Sequence, residues 1–195
     1  METGETDVRK AVEADLGVVA DTLADAFADY AWTRWALPPD GHRRRLRAAQ
    51  HHFAARVGLP LGTLHVAGGG AAAALWVPAG SAVPPEVFAD PGLLGLYGDR
   101  LAAVAEAEEA LAAHRPDGPH WTLATVGVRP GAQGRGLGAR VLAPGLRSAR
   151  ESGVPAYLET SAERNVRFYE RLGFGVTAEL EPPGGAPRTW CMLRD

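Results

Sequence analysis

Residues 121–138 read WTLATVGVRPGAQGRGLG, and this stretch decides the fold. Its apolar and β-branched beginning predicts a buried strand over residues 121–128, and residues 139–152 predict a helix that Pro144 should kink. In the glycine-rich loop between them, residues 131–138, successive backbone N–H groups can turn toward an anion. The first turn of the helix adds unpaired N–H groups and the positive end of the helix dipole. The stretch therefore predicts a cradle for a pyrophosphate.

Two common pyrophosphate sites do not fit this loop. A Rossmann site needs G-x-G-x-x-G early in a repeated βαβ array, and a P-loop needs Gly-Lys-Ser/Thr, whereas this loop reads G-x-G-x-G late in the chain. A glycine-rich turn alone is more often only a turn, but its place between a strand and a helix favours binding. The spacing resembles the coenzyme A loop of the GNAT acetyltransferase superfamily. The resemblance implies acetyl-CoA as co-substrate and, as its contacts, Gln133, Gly134, Arg135, Gly136, Leu137 and Gly138.

A second motif, NVRFYERLGF over residues 165–174, supports the same family. Asn165 and Tyr169 are four positions apart and so share one face of a helix, which Gly173 should end. In the GNAT pattern the matching residues are an Asn near the pantetheine and a Tyr near the leaving thiolate. Without the pattern, Tyr169 is as readily a packed aromatic with an incidental hydroxyl.

Several stretches spread over nearly the whole chain resemble the puromycin N-acetyltransferases. They are AFADY (26–30), RVGL (56–59), HRP (114–116), LATVGV (123–128), GVPAYLETSAERN (153–165), FYERLGF (168–174) and PRTWCM (187–192). The resemblance implies the GNAT fold and transfer of acetyl from acetyl-CoA to the free α-amine of puromycin, which inactivates the antibiotic. Residues 79–98 match less clearly, so acceptor contacts in that segment are left open.

Acetyl transfer to an amine needs a held thioester, a stabilised oxyanion, a neutral amine and a proton for the thiolate. The backbone N–H groups of Val126, Gly127 and Val128 can hold the pantetheine and polarise the carbonyl if this strand splays from its neighbour. Tyr169 is the predicted general acid, because a phenol with a pKa of about 10 stays protonated at neutral pH. Glu159 can accept the amine's proton directly or through water, unless it is a solvated or salt-bridged carboxylate.

The acceptor site and the order of events are also predicted. Tyr30 and Trp32 can stack on the rings of an aromatic acceptor, as can Trp35, or they are ordinary core or rim aromatics. Cys191 lies between Trp190 and Met192 in an apolar strand, where cysteine usually behaves as a small buried hydrophobe. We therefore expect direct transfer without an acyl-enzyme. Two alternatives are a GNAT enzyme for another small amine or aminoacyl conjugate, and a non-catalytic acetyl-CoA-binding module.

The remaining elements complete a single α/β domain over residues 1–195, with a mixed, mostly antiparallel sheet flanked by helices. Strands are predicted at 8–11, 63–67, 71–77, 154–160, 175–181 and 188–193. Helices are predicted at 15–27 with Asp15 as N-cap, 42–57, 99–114 and 165–172, and loops at 31–41 and 78–92.

Composition narrows the class of protein. The chain has 195 residues, of which 46% are hydrophobic and 22% charged, and this fits one globular domain. Its net charge of −3 gives no positive electrostatic field that would attract nucleic acid or an anionic membrane. One cysteine excludes an internal disulfide, and residues 1–10 lack the apolar stretch of a signal peptide. We expect a cytoplasmic enzyme for a small-molecule substrate, puromycin or a similar amine, without a metal, as a monomer or homodimer.

Overall fold

A computed structural model describes residues 8–195, and the sheet within that range has seven strands. They are β1 (Arg9–Lys10), β2 (Leu64–Ala67), β3 (Ala72–Val77), β4 (Trp121–Val128), β5 (Ala156–Thr160), β6 (Gly175–Leu180) and β7 (Thr189–Arg194). Their order across the sheet is β1-β2-β3-β4-β5-β7-β6. Every neighbouring pair is antiparallel except β4 and β5, which are parallel. The predicted mixed, mostly antiparallel sheet is confirmed.

Helices cover both faces of this sheet. They are α1 (Leu16–Ala26), α2 (Ala31–Ala36), α3 (His42–Phe53), α4 (Leu59–Leu61), α5 (Pro85–Phe88), α6 (Pro91–Tyr97), α7 (Leu101–Ala112), α8 (Leu137–Glu151) and α9 (Glu163–Glu170). Short 3₁₀ turns lie at Glu13–Asp15, Gly68–Gly70, Gly98–Arg100 and Pro130–Ala132, and a π-helical turn, Ala54–Gly58, joins α3 to α4. No helix within residues 8–195 is both long enough and apolar enough to cross a membrane.

The two faces of the sheet carry separate cores because side chains alternate along a strand. On one side, which we call the α8 face, Trp76 of β3 packs with Val141 and Leu142 of α8. On the other side, the α1 face, Leu75 packs with Val19 of α1. All five side chains are at most 2% exposed, and burial of each stabilises the fold by roughly 1.5–3 kcal/mol.

Two glycines allow helices to approach the sheet closely. A Cβ on Gly127 of β4 would lie 2.8 Å from the Cβ of Ala26 in α1, and a Cβ on Gly145 of α8 would collide with the indole of Trp76. Gly127 and Gly145 therefore let α1 and α8 pack against opposite faces of the sheet. Helix α8 continues through Pro144, in agreement with the helix predicted over residues 139–152.

Several local predictions were wrong. Residues 31–36 form a helix instead of a loop, and the predicted loop 78–92 contains α5 and the start of α6, each with proline in its first turn. Asp15 stands at the N-cap position of α1 as predicted, but its side chain does not cap that helix, because its carboxylate accepts hydrogen bonds from Arg9 and from the N–H of Val12, which precede it. The helix predicted over 42–57 changes to a π-helical turn after Phe53. The prediction that residues 1–10 lack a signal peptide falls largely on residues that lie outside those described.

Helix α9 ends at Glu170, and the predicted terminator Gly173 lies in the turn that follows it. The N–H of Phe174 donates to the carbonyl of Tyr169, and the N–H of Gly173 donates to that of Glu170. This is a Schellman motif, which requires a left-handed residue, and Gly173 has φ +89°. The motif fixes the last turn of the helix that carries Tyr169.

Candidate active site

The sheet splits between its two parallel strands. Strands β4 and β5 pair only at Trp121–Ala156 and Thr122–Tyr157. Beyond that point β4 stays paired with β3 as far as Val128, while β5 stays paired with β7 as far as Thr160. The splay predicted for this strand is therefore present. It also explains why β4 is less buried than predicted, with Ala124 exposed.

A β-bulge in β4 turns selected backbone N–H groups into the gap. Leu123 pairs with Trp76 and Thr125 with Leu75, so Ala124 is an extra residue in β4. Past the bulge, the N–H of Arg129 donates to Ala71 beside β3. Because N–H directions alternate along a strand, those of Val126 and Val128 point into the gap, and that of Gly127 points toward β3. Of the three predicted backbone contacts, Val126 and Val128 face the gap.

The predicted pyrophosphate loop lies at one end of the gap, at the N-terminus of α8. Gly134 and Gly136 have φ of +77° and +76°, and a Cβ on either would meet open space. The side-chain amide of Gln133 donates to the carbonyl of Val128 at 3.1 Å and so ties the loop back to β4. Residues 133–136 are exposed. In the first turn of α8, the N–H groups of Leu137 and Gly138 have no intrahelical partner.

This loop fits a diphosphate on physical grounds. Left-handed glycines turn consecutive amides to one side, the helix dipole favours negative charge, and the approach is open. Arg135 is exposed beside it and can contribute a positive charge. The chain thus offers a pyrophosphate cradle and a strand with inward N–H groups next to each other.

A cavity of about 460 Å³ lies at the gap and is lined by residues from both faces of the sheet. From the α8 face it is lined by Asn165 and Tyr169 of α9. From the α1 face it is lined by Tyr30 and Trp32. The apolar part of its wall on that side includes Phe27, Leu37, Phe53, Val83, Phe88, Tyr97 and Leu111. A ligand bound at the α8 N-terminus and one bound in this apolar part would meet at the split.

Tyr169 stands at this meeting point with its hydroxyl unengaged. Its ring makes edge contacts with Phe168 and Phe174, with ring centres 5.2 and 5.8 Å away. Among the described residues, none hydrogen-bonds to the Tyr169 hydroxyl. Burial, and to a lesser degree the neighbouring Tyr30, raises the pKa of Tyr169. The phenol therefore keeps its proton at neutral pH, as a general acid must.

Tyr30 has a structural contact that the sequence did not predict. Its hydroxyl accepts the backbone N–H of Ser161 and lies 3.2 Å from the hydroxyl of Thr160. The side-chain amide of Asn165 donates to the same Thr160 hydroxyl at 3.1 Å. Tyr30 and Asn165, which were predicted separately as substrate and cofactor contacts, are thus joined through the end of β5.

Glu159 is salt-bridged, which is the alternative that the sequence left open, and it faces the cavity as well. Arg115 donates to its carboxylate at 2.9 Å and the hydroxyl of Tyr157 donates at 2.9 Å. Arg115 also binds Glu108 of α7 at 3.0 Å. Burial lowers the pKa of Arg115, but its bonds to Glu159 and Glu108 outweigh that effect and raise it. We call Glu108, Arg115 and Glu159 the carboxylate cluster.

Of the other residues predicted from the sequence, Trp32 lines the cavity, whereas Trp35 and Cys191 do not. Trp32 packs on the buried group that contains Leu111, Tyr157 and Cys191 and lines the cavity. The ring centres of Trp35 and Trp32 are 5.1 Å apart. The indole N–H of Trp35 donates to the backbone carbonyl of Gly184, away from the cavity. Cys191 is fully buried, and burial raises the pKa of its thiol, so it lacks the exposed thiolate of a nucleophile.

The sequence missed Glu108, Thr160 and Ser161. Arg115 was noted only within the matched stretch HRP, and nothing in its spacing links it to β5, 44 residues later. Among residues 8–195 no group of three or more His, Cys, Asp or Glu side chains is placed to hold a metal ion.

Comparisons with known proteins agree with this geometry. A model of the acetyltransferase (GNAT) family matches residues 81–174. A mycothiol acetyltransferase of Streptomyces scabiei is 43% identical over 77 residues, which cover 33% of this chain and 25% of that protein. One from Propionibacterium freudenreichii is 42% identical over 67 residues, covering 33% and 20%. The chain thus spans about a quarter or less of these relatives.

Solved structures match over nearly the full length. A Corynebacterium glutamicum protein named as histone acetyltransferase HPA2 and related acetyltransferase has a TM-score of 0.75 at 28% identity, over 97% of this chain and 96% of that one. An agmatine N-acetyltransferase has a TM-score of 0.66 at 20% identity, over 97% and 98%. The fold is that of the GNAT acetyltransferases. The sequence predicted an acetyl-CoA-dependent N-acetyltransferase, and the matches support an acyl-CoA-dependent N-acetyltransferase.

Proposed function

We propose that this protein transfers acetyl from acetyl-CoA directly to the free α-amine of puromycin, and so inactivates the antibiotic. The observation that carries the proposal is the split between β4 and β5. It joins a pyrophosphate cradle near the α8 N-terminus to an apolar, acidic cavity on the α1 face, with Tyr169 between them. Two substrates can therefore be bound together, which direct transfer requires.

On the coenzyme side, the proposed contacts are backbone groups and one side chain. Residues 133–138 hold the pyrophosphate, while Asn165 and the backbone N–H groups of Val126 and Val128 line the path of the pantetheine; Gly127, whose N–H points toward β3, is left out of these contacts. The inward N–H of Val126 is placed to polarise the thioester carbonyl and to stabilise the oxyanion that forms on it. The metal-free chemistry proposed here needs only these hydrogen bonds and proton transfers.

Tyr169 is the proposed general acid. When the C–S bond breaks, its buried phenol donates a proton to the leaving sulfur. The raised pKa keeps this proton in place until that step. Its ring packs edge-on against Phe168 and Phe174, and Tyr169 lines the cavity at the gap.

On the acceptor side, shape and charge suit an aromatic amine. Tyr30 and Trp32, together with the apolar wall, can hold the aromatic groups of puromycin. The carboxylate cluster contains two carboxylates and one guanidinium, so its net charge is −1 with both acids ionised, and it attracts an ammonium group. We propose that the amine loses its proton to this cluster, which includes the predicted base Glu159.

A second candidate acceptor is an amine like that used by the mycothiol acetyltransferases. The 40–43% identity to four of these proteins favours it, although each match covers about a third of this chain. A non-catalytic acetyl-CoA-binding module is a third candidate, against which the retained Tyr169 argues. We also propose that residues 1–195 form one cytoplasmic domain that acts on a small molecule as a monomer or homodimer.

One assay separates these candidates. Coenzyme A release is measured with acetyl-CoA alone, with acetyl-CoA and puromycin, and with acetyl-CoA and a panel of other amines. Release that depends on puromycin supports the proposal, and release only with other amines moves the acceptor to the second candidate. Binding of acetyl-CoA without release under any condition leaves the binding module.

A further inference from the structure

Among the residues that the structure describes, two carboxylates are the only candidates for a side-chain base in the cavity. Among the described residues that line it, the charged side chains are Glu108, Arg115 and Glu159, and there is no histidine, aspartate or lysine. An arginine does not accept a proton at neutral pH, and a phenol, with an ordinary pKa of about 10, is a proton donor there and not a base. A side-chain base is therefore Glu108 or Glu159.

The hydrogen bonds of the two carboxylates differ. Glu159 accepts bonds on both oxygens from Arg115, at 2.9 and 3.4 Å, and one from the hydroxyl of Tyr157 at 2.9 Å. Glu108 accepts one bond, on Oε2 from Arg115 at 3.0 Å, and no described residue donates to its Oε1. Arg115 thus already occupies both oxygens of Glu159. Glu108 is thus the carboxylate with an oxygen available to a substrate.

We propose that Glu108 accepts the proton of the substrate amine, and that Glu159 and Arg115 are positioning residues. This inference rests on the proposed N-acetyltransferase function. The Glu108 side chain is 47% exposed within the cleft, so an ammonium group can reach it. Glu159 anchors Arg115, and Arg115 in turn holds Glu108 in the cavity wall.

The surroundings of Glu108 also make it a suitable base at neutral pH. Partial burial, and then the charge of Glu159, raises the pKa of Glu108, while Arg115 opposes both effects. Tyr97 of α6 lines the same cavity, and burial, followed by the charge of Glu108, raises the pKa of its hydroxyl. A base is most effective when its pKa lies near the working pH, so an upward shift favours this carboxylate.

The reaction balances with these groups. An N–H bond of the ammonium breaks and the proton moves to a Glu108 oxygen. The lone pair of the neutral amine forms the C–N bond with the thioester carbon, the C–S bond breaks, and Tyr169 protonates the sulfur. The second proton lost by nitrogen restores Tyr169 through solvent, and Glu108 releases its proton to water, so each acetyl transfer yields one free proton.

The test compares Glu108→Gln, Glu159→Gln and the control Glu109→Gln, the last on the next residue of α7, which is exposed and lies outside the cavity wall. kcat and KM are measured against pH with acetyl-CoA and whichever of puromycin and phenylalaninamide the wild type acetylates. Circular dichroism and the thermal shift given by acetyl-CoA check that each variant is folded.

We expect Glu108→Gln to lower kcat by roughly tenfold near pH 7, where only about a tenth of an amine with a pKa of about 8 is neutral, and the loss to shrink as pH rises through that pKa. In Glu159→Gln, Glu108 is the one carboxylate of the cluster that still pairs with Arg115, so Arg115 lowers the pKa of Glu108 further. The acidic limb of the pH profile of kcat/KM should therefore move to lower pH. Glu109→Gln should match the wild type.

Two results would overturn the inference. Wild-type kinetics in Glu108→Gln, or a loss that is the same at every pH, would mean that Glu108 takes no proton, while the acetyltransferase activity itself would stand. A wild type that acetylates neither amine nor any other in the panel would instead remove the proposed function and this inference with it.

Discussion

The hydroxyl of Tyr30 accepts a hydrogen bond from the backbone N–H of Ser161, 131 residues later in the chain. Ser161 follows β5 directly, where that strand has already separated from β4. The bond therefore satisfies a buried donor at the edge of the split, where no neighbouring strand does so. It ties the segment before α2 to the wall of the candidate active site.

We predict that Tyr30→Phe destabilises the protein and lowers its turnover rate. The substitution keeps the ring but leaves the Ser161 N–H without its partner, which should lower the free energy of unfolding by about 1–3 kcal/mol. Urea unfolding measures the change. Tyr97→Phe is the matched control, because no described residue hydrogen-bonds to the Tyr97 hydroxyl. Equal losses in the two variants would show that the bond to Ser161 contributes nothing particular.

A negative charge introduced into the loop tests whether this loop binds the pyrophosphate of acetyl-CoA. Acetyl-CoA should stabilise the native state by mass action, and Gly136→Asp should abolish its thermal shift by placing a carboxylate among the N–H groups. Gly80→Asp is the control, since Gly80 has a similar φ of +74° and equally open space but lies outside the loop. A retained shift in Gly136→Asp would remove this loop from the site.

Tyr169→Phe should separate chemistry from binding. The ring packing and the acetyl-CoA thermal shift should be unchanged, while kcat falls by roughly 10²-fold because the thiolate loses its acid. Since the pKa of Tyr169 is raised, wild-type activity should not decline through loss of this proton between about pH 7 and about pH 9. Full turnover in the variant would make Tyr169 a purely structural residue.

Cys191→Ser should remain active. The thiol is fully buried opposite Glu159 in the sheet and cannot reach a thioester. A hydroxyl in this apolar site should cost roughly 1–3 kcal/mol of stability, because it needs a hydrogen bond that the site must supply. The variant is assayed for coenzyme A release at a temperature where it is folded. Loss of all turnover in a folded protein would favour an acyl-enzyme.

Local signals in the sequence predicted the parts of the site that one segment builds. The loop of residues 133–138, the strand before it and the Asn165–Tyr169 pair each follow from short-range patterns of glycine, apolar residues and helical spacing. The role of Gly173 in the turn that closes α9 was predicted for the same reason. These features depend on backbone geometry within a few residues.

The acceptor side could not be predicted in this way because it depends on contacts between distant segments. Glu108 and Glu159 lie close together only because α7 packs beside β5, and Arg115 donates hydrogen bonds to both carboxylates. Gly127 was predicted as a cofactor contact from its place in the strand, whereas its close approach to Ala26 is a packing role that no local pattern reveals.

The most direct test of the account follows an isotopically labelled acetyl group. The protein is mixed with labelled acetyl-CoA, with and without puromycin, and both the small molecules and the intact protein are weighed by mass spectrometry. We predict one labelled acetyl group on the α-amine of puromycin, coenzyme A release only when the amine is present, and no label on the protein. Label that stays on acetyl-CoA with every amine, although the protein binds it, would contradict catalysis. Label on the protein before any amine is added would contradict direct transfer across the β4–β5 split.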